Sequence, residues 1–339
     1  MRGIFSQSKI RMGGAFVSLL MGLFSLHLLV CDEYAPVSTH DHNKLEAGRV
    51  NLRNPVDFTF AVFADHKRNR TVLDPILKDI NKDREISFAV DIGDMVPLGS
   101  RRAFRRFLRI THEYLKIPLL TAIGNHDLDG EDGDSTSYEQ VFGPTYYAFQ
   151  AGQDYFIFLG SVGIGEFDKV QFQWLEERLQ RSQSSRYRFV FMHVPPFDPR
   201  GGEFHKCLPK KDGKDLMDLF RRYHVTHLFA SHVHGHFSGI REGVPYTITG
   251  GAGARLDGED PEHFFHHYLR VHVVDGKAEV AVIRVNKEEG FIHLLDLVED
   301  HVEDNLDPSF LLLASIFSLM ISGFLLLYPK HCGVKKPDC

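Results

Sequence analysis

The chain has 339 residues, of which 43% are hydrophobic and 25% are charged, a composition typical of a folded globular protein and not of a disordered one. Lys and Arg number 39 against 45 Asp and Glu, and the net charge of −6 excludes an overall basic surface, so we expect no nucleic-acid partner. Histidine is unusually frequent, at 20 residues, and it is the side chain that most often binds metal ions.

The chain begins with an apolar segment. Residues 13 to 30 contain no Asp, Glu, Lys or Arg, and three cations precede them, which predicts a signal peptide or an uncleaved signal anchor over residues 1–31. We favour the anchor because the residues that follow are poorly suited to cleavage. A lipoprotein signal ending at Cys31 is a weaker alternative, since Val30 replaces the small residue expected before the modified cysteine.

Residues 55–290 alternate between strand and helix patterns, which predicts one α/β domain with a parallel sheet. Residues 57 to 65 form an apolar, β-rich run, and residues 72 to 83 then repeat apolar side chains at helical spacing. Further strands are predicted at 86–94, 118–127, 154–161, 186–195 and 226–232, and further helices at 101–115, 170–182 and 214–223. After residue 240 we expect shorter antiparallel strands, including a hairpin around Asp275 and Gly276.

A second apolar segment lies near the C-terminus. Residues 310–328 are uncharged over 19 positions, which predicts a transmembrane helix. Residues 291–309 are acidic and are expected to form a juxtamembrane spacer, whereas residues 329–339 form a basic tail. Because cations flank the outer ends of both spans, we expect a two-pass membrane protein with both termini in the cytoplasm and the middle domain on the extracytoplasmic side of the bilayer.

Polar side chains follow the predicted strands at the points where the strands end. They are Asp65, Asp94, Asn125, His126, His193, His232 and His234. Ligands of open α/β sheets bind beyond the carboxyl ends of the strands, and each of these side chains carries an oxygen or nitrogen donor. Taken singly, each is also explained as a helix cap or a hydrogen-bonded structural residue. Taken together, they predict a metal-dependent site.

The spacing of these residues resembles the pattern of the calcineurin-like metallophosphoesterases. That pattern is D-x-H, then GD, then GNH with an acid, then a strand-end His, then GHxH. The chain matches it at Asp65, at Gly93 and Asp94, from Gly124 to Asp127, at His193, and at His232 and His234. The resemblance extends over residues 55–290 and implies a four-layer α/β/β/α sandwich of two mixed β-sheets, here flanked by the two predicted transmembrane helices.

The resemblance also implies a centre with two metal ions. Asp65, Asp94 and His234 would hold one ion, and Asp94, Asn125, His193 and His232 the other, with Asp94 bridging. Oxygen and imidazole donors without thiolates favour Mn, Fe or Zn.

The reaction that such a centre implies is the hydrolysis of a phosphate mono- or diester. A metal-bridging hydroxide would attack the phosphorus atom, with Asp94 holding both ions and His126 assisting the leaving group or polarising a phosphoryl oxygen. The expected substrate is a small-molecule or lipid-linked phosphoester.

Two positions depart from the family pattern. Lys67 stands where D-x-H has its histidine, and His66 lies beside it, so either the first metal lacks one ligand or His66 takes that place. Alternatively, Lys67 is a cation that contacts the substrate phosphate. A metal-poor pseudoenzyme or ligand-binding module on the same fold is therefore the alternative to an enzyme. Ser231 replaces glycine before His232, which requires only that the backbone there avoid a positive φ.

Overall fold

The computed structural model describes residues 41–129, 133–162, 167–201, 206–274 and 277–288, together with isolated positions between 313 and 321. Its helices are α1 (His42–Arg49), α2 (Arg70–Lys82), α3 (Arg101–Tyr114), α4 (Thr136–Phe142), α5 (Lys169–Arg181) and α6 (Lys210–Arg222). Its strands are β1 (Phe58–Phe63), β2 (Ile86–Asp91), β3 (Leu119–Thr121), β4 (Tyr147–Ala151), β5 (Asp154–Leu159), β6 (Arg188–Met192), β7 (His227–Ala230), β8 (His236–Arg241), β9 (Val244–Thr249), β10 (His267–Val274) and β11 (Lys277–Arg284). Short 3-10 helices occupy Asn125–Asp127 and Ser182–Ser184.

The strands form two mixed sheets. The first has the order β11-β10-β1-β2-β3. Strands β1, β2 and β3 are parallel to one another, and β10 runs antiparallel to both of its neighbours, β1 and β11. The second has the order β4-β5-β6-β7-β9-β8, with β4 and β8 antiparallel at its edges. The alternating pattern by itself predicts a single parallel sheet, which is wrong. Buried parallel strands have similar runs of apolar residues whichever sheet they belong to, so the pattern does not show which sheet a strand joins.

Phenylalanine side chains fill the space between the two sheets. Phe60 of β1 stacks on Phe88 of β2 at 5.1 Å and meets Phe189 and Phe229 of the second sheet edge to face. The opposite face of the second sheet packs against α5 and α6 in a separate apolar cluster. Burial of these large aromatic side chains stabilises the packing of the two sheets against each other.

Most predicted elements are observed, with strand ends that come earlier than predicted. The predicted strand at 86–94 ends at Asp91, and the one at 118–127 ends at Thr121. The chain turns out of each sheet before it reaches the polar residues, so those residues lie on loops. Helices α1 and α4 were not predicted, because α1 has no clear apolar stripe and α4 has only 7 residues.

No helix in the described ranges is long and apolar enough to cross a membrane. The segments predicted as spans, 1–31 and 310–328, lie outside the described residues except for a few positions of the second. The spacer at 291–309 and the tail at 329–339 lie outside them as well.

Candidate metal centre

The first predicted ligand set is brought together. Asp65 follows β1, Asp94 follows β2 and His234 precedes β8, and one ligand atom from each lies within 4.8 Å of the others. Asp65 Oδ1 is 3.3 Å from His234 Nε2, and Asp65 is completely buried. This set therefore forms a pocket of donor atoms inside the protein.

The second predicted set converges on one nitrogen atom. His193 Nε2 lies 3.1 Å from Asn125 Oδ1, 3.3 Å from Asp94 Oδ1 and 3.3 Å from His232 Nδ1. It is also 4.0 Å from Asp65 Oδ1 in the first set. The two sets are thus adjacent, and Asp94 faces both.

Hydrogen bonds to backbone carbonyls orient two of the histidines. His193 Nδ1 lies 2.8 Å from the Ile92 carbonyl, and His234 Nδ1 lies 2.6 Å from the Arg255 carbonyl. A carbonyl only accepts, so each Nδ1 carries the hydrogen and the neutral ring directs the lone pair of Nε2 toward the cluster. Metal-binding histidines are commonly held in this way.

The donor atoms fit metal ions. Asp65 Oδ1 is buried and accepts no hydrogen bond of good geometry, yet it faces His234 Nε2. His193 Nε2 likewise faces the oxygens of Asn125 and Asp94. Electron-pair donors at such distances repel one another unless a cation lies between them, and oxygen and imidazole donors suit Mn, Fe or Zn.

Burial and the close approach of the side chains shift the pKa values of the residues in the cluster. Burial alone raises the pKa of Asp65, but His193 and His234 outweigh burial and lower it below its ordinary value. Burial lowers the pKa of His234, and the Asp65 carboxylate outweighs burial and raises it. Burial, with His193 nearby, lowers the pKa of His232 to about 4. His232 is therefore neutral at pH 7, the form in which imidazole binds metal.

The loops that carry the candidate ligands have strained backbones. Asp65, Asp94 and His232 have φ values of 58°, 55° and 68°, a region that residues other than glycine seldom occupy. Gly93 and Gly124 allow two of these loops to touch, because a Cβ on Gly124 would lie 2.2 Å from the Asp94 backbone nitrogen. The glycines of the GD and GNH motifs are thus needed for close approach of the two loops.

Asp127, the acid of the GNHD tetrapeptide, has a positioning role that the sequence did not reveal. Its buried carboxylate accepts backbone N–H bonds from Asp94 and Gly124 at 2.9 and 2.8 Å, and from Met95 and Val96 at 2.9 and 3.2 Å. It therefore ties the loop that carries Asp94 to the loop that carries Asn125.

Two further side chains support the first ligand set. Asp257 accepts a hydrogen bond from the His234 backbone N–H at 3.0 Å and pairs with Lys206 at 2.8 Å. The Ser231 hydroxyl lies against the Asp65 carboxylate and the Thr249 carbonyl. Ser231 is not among the described residues with positive φ, so its replacement of glycine is accommodated as expected.

His126 and Lys67 lie together at the mouth of the cluster. The His126 side chain is 40% exposed, and its Nε2 lies 3.9 Å from Asp94 Oδ2 and 2.9 Å from the Lys67 amine. The Lys67 amine is 3.5 Å from Asp94 Oδ2. Both side chains therefore border the donor atoms from the solvent side.

His66 is not brought to the cluster. Its Nε2 lies 2.9 Å from Asp91 Oδ2, its Nδ1 accepts the Arg68 backbone N–H, and its ring stacks on Phe107 at 5.4 Å. Both ring nitrogens are thus engaged inside the protein. The geometry does not support the interpretation in which His66 replaces the missing ligand.

Comparisons with known proteins show which family the chain belongs to. The sequence model of the calcineurin-like phosphoesterase family matches residues 58–236. The chain is 25% identical over 137 residues to purple acid phosphatase 23 of Arabidopsis thaliana, covering 36% of this chain and 29% of the relative. It is 23% identical over 187 residues to a probable cyclic nucleotide phosphodiesterase of Rhodopseudomonas palustris, covering 51% of this chain and 66% of the relative. The chain thus spans less than two thirds of each of these relatives.

Solved structures share the fold. A purple acid phosphatase from yellow lupin (Lupinus luteus) seeds superimposes with a TM-score of 0.53 at 15% identity, covering 70% of this chain and 55% of that one. The structure of PhoD superimposes with a TM-score of 0.50 at 11% identity, covering 80% of this chain and 79% of that one. The family match spans more than half of the chain and contains every residue of the two ligand sets, so this protein belongs to the calcineurin-like phosphoesterase family.

Proposed function

We propose that this protein is a metal-dependent phosphoric ester hydrolase with two metal ions. The observation that carries the proposal is the convergence of electron-pair donors described above, in which Asp65 Oδ1 and His193 Nε2 face other donors within the protein. Asp65, Asp94 and His234 would hold one ion, and Asp94, Asn125, His193 and His232 the other. Mn, Fe and Zn all suit these donors.

The metal ions, when bound, neutralise charge on the phosphoryl oxygens and activate the attacking water. The residues of the chain position the donor atoms and assist the leaving group. Asp94 lies between the two sets and fixes their separation, while the carbonyl-bound His193 and His234 keep their donor nitrogens aimed inward. His126 lies exposed at the mouth, where its protonated form, with a hydrogen on Nε2, would assist the leaving group. The substrate is a phosphate mono- or diester, small or lipid-linked.

Hydrolysis by the purified full-length protein in detergent tests this proposal. A chromogenic phosphomonoester and a chromogenic phosphodiester are incubated with Mn, Fe or Zn, beside Asp94→Ala as the inactive variant and the exposed Asp215→Asn as a matched control. We expect metal-stimulated turnover of at least one substrate by the wild type and by Asp215→Asn only. No turnover with any metal would contradict the proposal.

A metal-poor binding module is the second candidate, and Lys67 favours it. The Lys67 amine lies 3.5 Å from Asp94, where its charge competes with a metal ion for the carboxylate. Fewer than one metal ion per chain, combined with no turnover, would favour this candidate over the enzyme.

We further propose that residues 1–31 and 310–328 anchor the domain at the extracytoplasmic face of a membrane, supported by their apolar composition and flanking charges. A reporter that is active only in the cytoplasm is expected to be active when fused to the C-terminus. An inactive C-terminal fusion together with an active fusion inside the domain would reverse the orientation.

A further inference from the structure

Lys67 is held at the mouth of the metal centre by two partners. Its amine lies 2.9 Å from His126 Nε2 and 3.5 Å from Asp94 Oδ2. The side chain is 23% exposed, although a lysine at the edge of a cleft normally extends its charge into water. The amine therefore sits where a substrate would approach the donor atoms.

The direction of the hydrogen bond between Lys67 and His126 follows from the backbone. His126 Nδ1 lies 2.9 Å from the Pro97 carbonyl, which only accepts, so this nitrogen carries the ring hydrogen. In the neutral ring Nε2 is then an acceptor, and the Lys67 ammonium, which has donors only, donates to it. His126 thus holds a positive charge in place at the mouth.

The local backbone keeps Lys67 in this position. The Lys67 N–H donates to the Asp94 carbonyl at 3.0 Å, and Lys67 and Arg68 have φ values of 47° and 57°. Two successive left-handed residues turn the chain sharply after Asp65. This turn directs Lys67 toward the cluster and His66 into the core.

We infer that Lys67 is a substrate-binding residue that contacts a phosphoryl oxygen beside the metal centre and makes the site selective for phosphate monoesters over phosphodiesters. This inference rests on the proposed function. An ammonium has three hydrogens; with one donated to His126 and one facing Asp94, the third is available to a ligand. A fixed positive charge stabilises the dianionic phosphate of a monoester more than the monoanionic phosphate of a diester.

Ligand binding tests this inference without relying on turnover. Inorganic phosphate and dimethyl phosphate are titrated calorimetrically into the metal-loaded, full-length protein at about pH 8, where phosphate is largely dianionic. The variants are Lys67→Met, Lys67→Arg and the control Lys78→Met, whose amine pairs with Glu288 on the surface. The metal-to-chain ratio of each variant is measured alongside.

We expect Lys67→Met to bind phosphate about 10- to 100-fold more weakly, the range for a hydrogen bond to a charged group, and to change dimethyl phosphate binding far less. Lys67→Arg should keep most of the preference, and Lys78→Met all of it. Equal weakening of both ligands, no weakening, or an altered metal-to-chain ratio in Lys67→Met would overturn the inference.

The test of Lys67 and the test of the proposed hydrolase give results that can be told apart. A wild type that hydrolyses esters but shows no change in ligand preference on Lys67→Met would refute only the role of Lys67. A wild type that binds phosphate through Lys67 but hydrolyses nothing would refute only the hydrolase. As a second measurement, Lys67→Met is expected to lower the ratio of monoester to diester turnover.

Discussion

Asp65 Oδ1 and His234 Nε2 face each other at 3.3 Å in the protein interior, and both are electron-pair donors when the histidine is neutral. The Arg255 carbonyl holds the hydrogen of His234 on the opposite nitrogen. With a neutral His234 and no cation between the two atoms, this contact is repulsive. A metal ion between them would relieve this repulsion and would account for the buried, strained position of Asp65.

His234→Ala is therefore expected to remove the metal ion of the first set and leave that of the second. The reason is that Asp65 and Asp94 alone offer too few protein donors for a stable site. The measurement is the metal-to-chain ratio, with the exposed His112→Ala as control. An unchanged ratio in His234→Ala would show that His234 holds no metal.

His126→Ala is expected to keep both metal ions and lose about 10²- to 10⁴-fold of turnover, the range for a general acid or base. His126 Nε2 lies 3.9 Å from Asp94 Oδ2 at the solvent side, and the His126 backbone N–H, which alanine keeps, donates to Asp94 Oδ1 at 2.9 Å. Turnover and metal content are measured on the same preparation. Loss of metal in His126→Ala would instead place this residue among the ligands.

Asp127→Asn is expected to destabilise the metal-free protein by about 2–4 kcal/mol, because an amide presents hydrogens to backbone N–H groups that need an acceptor. Four such groups converge on the Asp127 carboxylate. Urea unfolding followed by the fluorescence of Trp174, the sole tryptophan, measures the change. Stability within ~0.5 kcal/mol of the wild type would show that the two loops are held by other contacts.

A buried histidine outside the metal centre makes stability depend on pH. Burial lowers the pKa of His227 in the folded protein to about 3, and its Nε2 pairs with Thr247 Oγ1 at 3.0 Å. In the unfolded chain the pKa is about 6.5, so below that pH the unfolded state binds a proton that the folded state does not. The stabilisation is present above about pH 6.5 and is lost as the pH falls toward 3.

His227→Gln is expected to flatten the pH dependence of unfolding of the metal-free protein. Between about pH 6 and 4 the wild type should lose up to about 1.4 kcal/mol more per pH unit than the variant, the linkage for one proton. Glutamine retains a hydrogen bond to Thr247 and does not titrate. Parallel curves for the two proteins would contradict the assigned pKa.

The residues proposed as ligands could be located from the sequence because each follows a strand that the apolar pattern marks clearly. The separation into two sheets came only from the family resemblance, since β1 to β3 and β5 to β7 are equally apolar. The exact strand ends were not predictable. Gly93 and the left-handed Asp94 turn the chain out of the sheet within three residues, a backbone event that hydrophobicity does not record.

Contacts around the ligands were less predictable than the ligands. Asp127 was noted only as the acid of a motif, and three of its four backbone partners come from a loop that is distant in sequence. His66 and Lys67 are neighbours, and only the positive φ of Lys67 and Arg68 decides which side chain faces the cluster. The sequence left both interpretations open because left-handed turns of this kind carry no glycine signal here.

The metal-to-chain ratio of the purified full-length protein tests the central claim most directly. The wild type and Asp94→Ala are each saturated with Mn or Zn and freed of excess metal. The metal bound per chain is then measured by elemental mass spectrometry. A two-metal centre bridged by Asp94 predicts two ions per wild-type chain and loss of both in Asp94→Ala. Fewer than one ion per wild-type chain, or full retention in Asp94→Ala, would contradict it.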